Sequence, residues 1–401
     1  MAEETTTTTT TTTTSPIRFG IVGCAEIARK VSRAIALAPN ATLVAVGSRS
    51  LDKARRFIAE NALSSSVRAV GSYEELLDDP AVDAVYMPLP TSLHARWAVA
   101  AAERGSTCSS RSRRALRAEL DPSSRVRRHG VQFMDSTMWI HNPRTAHMRG
   151  LLSDPSALGT LRWFYVVMLL ILKLAFKKDW MCLRFWHDLK PYIININSIF
   201  SFYADEDFLK NDIRVKPDLD ALGALGDAGW YCIRSSLWAA DYQLPKTATA
   251  FRNPVLNDAG VILSCGATLL WEDGKIAIFH CSFLSHLTMD LTVIGTRGSL
   301  HVNDFIIPYE EKSAEFSFAS DSGFTELVTG WQPLPSKHVV TTELPQEALM
   351  VQEFSRLVAG IRDSGNKPEE KWPTITRKTQ LVIDAVKASI DKGFEPVEIV
   401  G

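Results

Sequence analysis

The stretch Ile17-Arg-Phe-Gly-Ile-Val-Gly-Cys-Ala-Glu-Ile-Ala28 decides the fold of this chain. Its first half is apolar, which predicts a buried strand, and its second half begins an amphipathic helix. A helix that follows a strand at once presents free backbone N–H groups and the positive end of its dipole at one point. A pyrophosphate fits that point, so the stretch predicts a dinucleotide-binding turn.

Small residues occupy the turn itself, where the backbone must bend tightly and a phosphate must approach it. Alanine replaces the two later glycines of the G-x-G-x-x-G fingerprint, at Ala25 and Ala28. An ordinary strand-to-helix connection is therefore the alternative interpretation. The predicted cofactor-binding residues of this turn are Gly20, Gly23, Cys24, Ala25, Glu26 and Ile27.

The next apolar run, Ala41–Gly47, predicts a second strand that ends in Ser48-Arg49-Ser50. In a dinucleotide-binding fold this position faces the adenosine ribose. An acidic residue there would favour NAD, whereas the Arg49 guanidinium and the Ser48 hydroxyl suit the 2′-phosphate of NADP. We therefore predict NADP rather than NAD, although Arg49 could instead be an ordinary solvated arginine.

Strands and helices alternate from Ile17 to about Pro90, which predicts a parallel, doubly wound sheet in an α/β fold. The buried-type strand Ala84–Met87 leads into the loop Pro88–His94. Loops at the carboxyl ends of such strands line the ligand crevice. We predict that the nicotinamide lies near Leu89, Thr91 and His94, although His94 could instead bond to its own helix turn.

Composition places the chain among ordinary soluble proteins of two domains. It has 401 residues, of which 46% are hydrophobic and 22% charged, with a formal charge of −1. This balance gives no basis for expecting nucleic acid. The 6 cysteines lack C-x-x-C spacing, so we predict no metal site and no disulfide framework, and we expect a reducing, cytoplasmic location.

Residues 1–16 form a threonine-rich segment that we expect to be a disordered tail. Its acidic residues and its lack of an apolar run argue against a secretory signal.

The segments quoted above, together with Gly223-Ala-Leu-Gly-Asp-Ala-Gly-Trp-Tyr231, resemble the glucose–fructose oxidoreductase and inositol dehydrogenase family (Gfo/Idh/MocA). The resemblance covers most of the chain from Ile17 to Val400 and is nearest to a plant branch similar to dimeric dihydrodiol and D-xylose dehydrogenases. It implies a Rossmann domain over 17–138 and a substrate and dimerisation domain over 139–401, built on an open, mainly antiparallel sheet. It further implies NADP, a sugar, polyol or cyclic diol as substrate, and a homodimer.

Asp227 and Tyr231 are four residues apart, so a helix would place both on one face. The resemblance assigns catalytic or substrate-orienting roles to both, with the phenol handling a substrate hydroxyl proton. Without the resemblance, the same residues predict a helix N-cap and a core tyrosine. The resemblance also brings Trp139 and Arg144 near the substrate, where each could equally be an interdomain packing residue.

A tyrosine with a pKa near 10 needs a nearby cation to act at neutral pH. In the family that cation is the lysine of a Glu-Lys-Pro motif after the fifth strand. Here residues 105–113 read Gly-Ser-Thr-Cys-Ser-Ser-Arg-Ser-Arg, so the lysine is absent at Ser112 and its neighbours. We expect no buried strand from these residues, because their hydroxyl and guanidinium groups would lack partners.

The genetic code explains this departure. One set of codons for Lys-His-Val-Leu-Leu-Glu-Lys-Pro, after loss of one base from the first codon, encodes Ser-Thr-Cys-Ser-Ser-Arg-Ser-Arg, which matches Ser106–Arg113 at every position. We therefore predict a frameshift within 105–128 and impaired activity, with a divergent loop as the alternative. A catalytically inactive dinucleotide-binding protein is accordingly the competing function.

Residues 164–197 are a second departure from the family pattern. They are rich in amino acids that have A- and T-rich codons, and we interpret them as a translated intron. Their apolar run Val166–Leu172 is shorter than the roughly 20 residues that span a bilayer, so we predict no membrane segment. Further on we predict a loop over 205–214 and antiparallel strands over 247–308. We also predict a helix over 374–392 that packs back on the N-terminal domain.

Overall fold

The computed structural model describes residues 15–105, 107–110, 128–158, 193–326 and 329–401. The predictions made for the threonine run, for Ser112 and for Val166–Leu172 lie outside the described residues.

The first sheet has six parallel strands in the order β3-β2-β1-β4-β5-β6, the order of a doubly wound dinucleotide-binding fold. The alternation read from the sequence is thereby confirmed. The strands are β1 (Ile17–Val22), β2 (Ala41–Gly47), β3 (Arg68–Val70), β4 (Ala84–Met87), β5 (Thr107–Ser110) and β6 (Phe133–Asp135). The helices between them are α1 (Glu26–Leu37), α2 (Leu51–Glu60), α3 (Tyr73–Leu77) and α4 (Thr91–Glu103).

The expectation that no strand follows Gly105 is wrong for the backbone. β5 pairs in parallel with β4 on one side and with β6 on the other, so its backbone polar groups join a ladder. At its start, the buried Thr107 hydroxyl donates to the Asp83 carbonyl oxygen over 3.0 Å. A hydroxyl with such a partner can be buried at little cost.

The second sheet has ten strands and is mainly antiparallel, as expected; its order is β17-β14-β13-β12-β7-β11-β10-β8-β18, with β9 beside β10. Turns at Glu272–Gly274 and Thr296–Gly298 connect β10 to β11 and β12 to β13. The strands are β7 (Ile193–Tyr203), β8 (Thr247–Ala250), β9 (Val255–Leu256), β10 (Ile262–Leu270), β11 (Ile276–Ser282), β12 (Leu284–Gly295), β13 (Gly298–Val302), β14 (Ser313–Ser320), β17 (Ser336–Thr341) and β18 (Val397–Glu398). A separate pair is formed by β15 (Gly323–Phe324) and β16 (Trp331–Gln332).

In this half of the chain, the structure differs from two segments predicted from the sequence. β7 begins at Ile193, inside the predicted insert, and Asn195 pairs with Ile276 of β11, so 193–197 belong to the sheet. The predicted loop 205–214 contains a helix, because the Asp205 carboxylate accepts a hydrogen bond from the Phe208 N–H over 2.8 Å and caps it.

Seven further helices complete the described chain: α5 (Pro143–Ser153), α6 (Pro155–Leu158), α7 (Glu206–Asn211), α8 (Gly223–Gly226), α9 (Ala228–Ala239), α10 (Gln346–Ser364) and α11 (Lys371–Asp391). Short 3₁₀ helices occupy Met138–His141 and Ile213–Val215. α10 packs on the first sheet through Phe354, whose ring lies 6.1 Å from that of Phe19. α11 contacts both sheets, because Thr376 bonds to Asp135 and Ser389 accepts from the Ala250 N–H over 2.9 Å.

Candidate functional site

The turn after β1 has the geometry that a bound phosphate requires. Gly23 has a φ of +109°, and a Cβ placed there would lie 3.0 Å from the Leu89 side chain, so only glycine fits without strain. Its N–H donates to the Gly47 carbonyl oxygen over 2.9 Å, which holds the turn against β2. α1 begins at Glu26, and no side chain of Ala25 caps it. The first N–H groups of α1 are therefore available to an anion.

The structure places Gly20 differently from its prediction as a cofactor-binding residue. It lies within β1, and a Cβ there would meet Leu76 of α3 at 3.0 Å and Val82 at 3.2 Å. Gly20 thus allows α3 to pack closely on the sheet. Of the other predicted turn residues, Cys24, Ala25 and Ile27 are partly buried and Glu26 is exposed.

The end of β2 lies beside this turn. Ser48 is buried and Arg49 is exposed. Burial raises the pKa of Tyr73, while the neighbouring Arg49 guanidinium opposes that rise. Burial likewise raises the pKa of the Cys24 thiol, against the opposing effects of Lys53 and Ser48. A guanidinium and an ammonium group therefore stand near the turn, where a 2′-phosphate would need cations.

The loop after β4 is joined to the second half of the chain. Leu89 is 7% exposed and lies against the Gly23 turn, whereas His94 is only 2% exposed within α4. The Thr91 hydroxyl donates to the Asp220 carboxylate over 3.1 Å, and the Ser92 N–H donates to the Leu219 carbonyl oxygen over 3.1 Å.

Asp227 lies between α8 and α9, one turn before Tyr231, so the structure brings the predicted pair onto adjoining turns. The side chain of Asp227 does not cap α9. It is 8% exposed and its Oδ2 lies 3.1 Å from Nε of Arg214. The buried carboxylate is therefore next to a compensating charge.

Tyr231 is 4% exposed, and its ring packs edge-to-face against Phe200 with centroids 5.8 Å apart. Its hydroxyl donates to the Met138 sulfur over 3.8 Å. A thioether is a weak acceptor, so a substrate oxygen could take its place.

Glycine at the start of this segment is required by the sheet behind it. Gly223 has a φ of +52°, and a Cβ there would lie 2.1 Å from the Ile262 carbonyl oxygen. The helix pair α8 and α9 can therefore approach β10 closely.

Arg214 was not predicted as a site residue, because the sequence predicted only a loop over 205–214. Asp212 holds it in place: one carboxylate oxygen lies 3.0 Å from Nη1 of Arg214 and the other 3.2 Å. The guanidinium also lies over the Phe208 ring, 5.9 Å from its centroid. The spacing Asp212-x-Arg214 was the available signal.

A second buried pair, Asp135 and Arg234, was also missed. Arg234 is fully buried, and its Nη2 donates to Asp135 Oδ2 over 3.0 Å while its Nε donates to Thr379 over 2.6 Å. Thr137 and Thr376 donate to the same carboxylate. This network, which we call the Asp135 network, fixes α9 to β6 and α11.

The two predicted substrate residues have structural contacts. Trp139 is fully buried, with its ring 5.7 Å from Trp238 and 5.8 Å from Phe305. Arg144 is 1% exposed and pairs with Asp304, and its Nη1 also donates to the Glu315 carbonyl oxygen over 2.9 Å. The structure thus favours the packing interpretation for both residues.

Among the described helices, none has the length and apolar character needed to cross a bilayer. Within the same residues, no three His, Cys, Asp or Glu side chains are grouped so that they could hold a metal ion.

Two family profiles match the chain. The oxidoreductase family with an NAD-binding Rossmann fold matches residues 17–108, and the GFO/IDH/MocA C-terminal domain matches residues 192–301.

Curated relatives cover most of the chain. A dTDP-3,4-didehydro-2,6-dideoxy-alpha-D-glucose 3-reductase from Actinomadura kijaniata is 32% identical over 93% of this chain and 95% of its own length. A D-xylose 1-dehydrogenase (NADP(+)) from Haloferax volcanii is 30% identical over 76% of this chain and 81% of its own length. Among solved structures, the 3-ketoreductase KijD10 from Actinomadura kijaniata, in complex with NADP, has a TM-score of 0.72 at 22% identity and covers 93% of this chain and 98% of its own. The relatives named here are sugar dehydrogenases and reductases, and the chain belongs to the Gfo/Idh/MocA family of oxidoreductases.

Proposed function

We propose that this protein is an NADP-dependent oxidoreductase, which transfers a hydride between the nicotinamide and a hydroxyl-bearing carbon of a sugar, polyol or cyclic diol. The observation that carries the proposal is the junction between two parts of the site. The loop that touches the Gly23 turn is hydrogen-bonded, through Thr91 and Ser92, to the segment that leads to Asp227. These bonds support a single site that contains both the cofactor turn and the acid–base pair.

The residues present fit a dinucleotide. The φ of +109° at Gly23 and the close approach of Leu89 leave no room for a Cβ at the turn, as a cradle for phosphate requires. The uncapped start of α1 would hold the pyrophosphate, and Arg49 with Ser48 would hold the 2′-phosphate. The bound nicotinamide supplies or accepts the hydride.

The chain's own residues would move the proton. Tyr231 would exchange the substrate hydroxyl proton, and Asp227, whose Oδ2 lies 3.1 Å from Nε of Arg214, would orient that hydroxyl. A phenol without a neighbouring lysine keeps a pKa too high for efficient transfer at neutral pH. We therefore expect kcat to be lowered by the order of 10²- to 10⁴-fold relative to a form that contains the Glu-Lys-Pro lysine.

The absence of that lysine from the sequence also favours a second candidate, a dinucleotide-binding protein without catalysis. Three observations separate the two: NADPH and NADH titrations, turnover across a panel of sugars and diols, and turnover after residues 106–113 are replaced by Lys-His-Val-Leu-Leu-Glu-Lys-Pro. The oxidoreductase proposal expects NADPH binding in both forms and much faster turnover in the restored form. Binding without turnover in either form favours the binding protein. Equal turnover in both forms would refute the role given to the lysine.

We also propose that the chain forms a homodimer through the open face of the second sheet. On this face, adjacent strands β11, β7 and β12 each carry isoleucine; Ile278 and Ile199 are both 37% exposed and Ile294 is 38% exposed. In the register of these strands Asn197 and Asp290 lie among the isoleucines, so the face is of mixed polarity. The exposed isoleucines on one sheet face are the support for an interface there. Light scattering should give twice the chain mass, and Ile278→Lys should give a monomer; a monomeric parent protein contradicts the proposal.

The domain boundary at 138/139 is also proposed. It is supported by β6, which ends the first sheet at Asp135, and by Trp139, which packs on residues of the second half. The frameshift and the intron-derived segment remain predictions that sequencing of the transcript tests directly.

A further inference from the structure

Two hydrogen bonds connect the start of α4 to residues 219–220. The Thr91 hydroxyl donates to Asp220 over 3.1 Å, and the next residue's N–H donates to the Leu219 carbonyl oxygen over 3.1 Å. Thr91 is 5% exposed and Asp220 is 2% exposed. A carboxylate so deeply buried needs donors, and hydrogen bonds to charged acceptors are stronger than those between neutral groups.

Each partner lies close in sequence or in space to one half of the proposed site. On one side, Leu89 lies two residues before Thr91 and approaches within 3.0 Å of the Cβ that Gly23 lacks. On the other side, Asp220 Oδ1 lies 3.3 Å from the Cβ that Gly226 lacks, and Gly226 directly precedes Asp227. The pair therefore lies midway in a continuous series of contacts from the phosphate turn to the catalytic segment.

We propose that Thr91 and Asp220 form a positioning pair. It holds the loop Pro88–His94, which is predicted to lie near the nicotinamide, against the segment that contains Asp227. Thr91 then acts on the cofactor through the position of the loop. This inference rests on the proposed function. Without the hydroxyl, the loop would sample other positions, and binding of the dinucleotide would have to select the productive one.

The test measures the affinity for NADPH in the full chain by tryptophan fluorescence. Thr91→Val removes the hydroxyl with little change in shape, and Asp220→Ala removes the acceptor. Each should weaken NADPH binding by about tenfold, and the double variant should be no weaker than either single variant. Thr91→Ser, which keeps the hydroxyl, should recover most of the affinity.

Thr107→Val is the matched control, because it deletes a buried threonine hydroxyl at the opposite end of the same sheet. It should lower stability without changing the affinity for NADPH. If Asp220→Ala does not fold, Asp220→Asn takes its place with the opposite expectation: it keeps an accepting oxygen and should retain most of the affinity, while Thr91→Val still shows the loss.

Three results would overturn the inference. If the parent protein binds NADPH and the affinity is unchanged in Thr91→Val and Asp220→Ala, the positioning pair is rejected and the proposed function is not. Additive losses in the double variant show that the two residues act independently. Failure of the parent protein to bind NADPH rejects the proposed function and the inference with it.

Discussion

Replacement of Arg234 by methionine tests the Asp135 network. Methionine fills much of the arginine's volume but removes the guanidinium that donates to Asp135 over 3.0 Å and to Thr379 over 2.6 Å. Asp135 is 2% exposed, and among the described residues it then keeps the hydroxyl donors Thr137 and Thr376. Breaking a buried pair from one side typically costs about 3–5 kcal/mol, so we expect a loss of that size in the free energy of unfolding.

Urea denaturation followed by tryptophan fluorescence measures this loss. Arg29→Met is the control, because it breaks an exposed ion pair with Glu26 and should change stability by about 0.5 kcal/mol or less. The double variant Asp135→Asn with Arg234→Met removes both charges and should regain part of the loss. A decrease below about 1 kcal/mol for Arg234→Met would show that the buried pair does not hold β6, α9 and α11 together.

Three further variants test the cofactor turn and the acid sensitivity of the fold. Gly23→Ala should abolish NADPH binding in a titration, because alanine is strained at a φ of +109° and meets Leu89; binding within threefold of the parent would contradict the geometry. Arg49→Ala should weaken NADPH by roughly tenfold or more while leaving NADH unchanged, and an equal loss for both would remove the 2′-phosphate role. Burial lowers the pKa of His141 to about 4 in the folded protein, whereas an unfolded histidine has a pKa near 6.5. Between these values the unfolded chain binds a proton at His141 that the folded protein does not, so the free energy of unfolding should fall as the pH drops from about 6.5 towards 4. His141→Phe, which keeps the stacking on Trp372, should flatten that part of the stability curve in thermal melts, and an unchanged slope would exclude the histidine as its source.

The sequence predicts the first sheet well where its signals are local. β4 begins and ends at the predicted residues Ala84 and Met87, because a short apolar run bounded by Asp83 and Pro88 marks a buried parallel strand. The start of α3 also follows a local pattern, because Ser72 accepts from the Glu75 N–H three residues later over 3.0 Å and caps the helix. Such signals depend on neighbours in the chain.

Local signals fail where distant residues decide the structure. β5 is polar in sequence and becomes a strand because β4 and β6 pair with its backbone on both sides. Asp135 and Arg234 are 99 residues apart, and Thr91 and Asp220 are 129 apart, so neither pair has a local pattern. The two halves of the candidate site could be named from the residues, but the contacts that join them required the fold.

The contacts of α11 also have a consequence for synthesis of the chain. β6 emerges from the ribosome long before Thr376, although the Asp135 carboxylate at the end of β6 is bonded by Arg234 and Thr376 in the finished structure. The first sheet therefore cannot complete the surroundings of this charge by folding alone, although N-terminal domains usually fold first during synthesis. Translation must reach the last helix before the first domain acquires its final stability, so chains released early should be selectively recognised by chaperones and proteases.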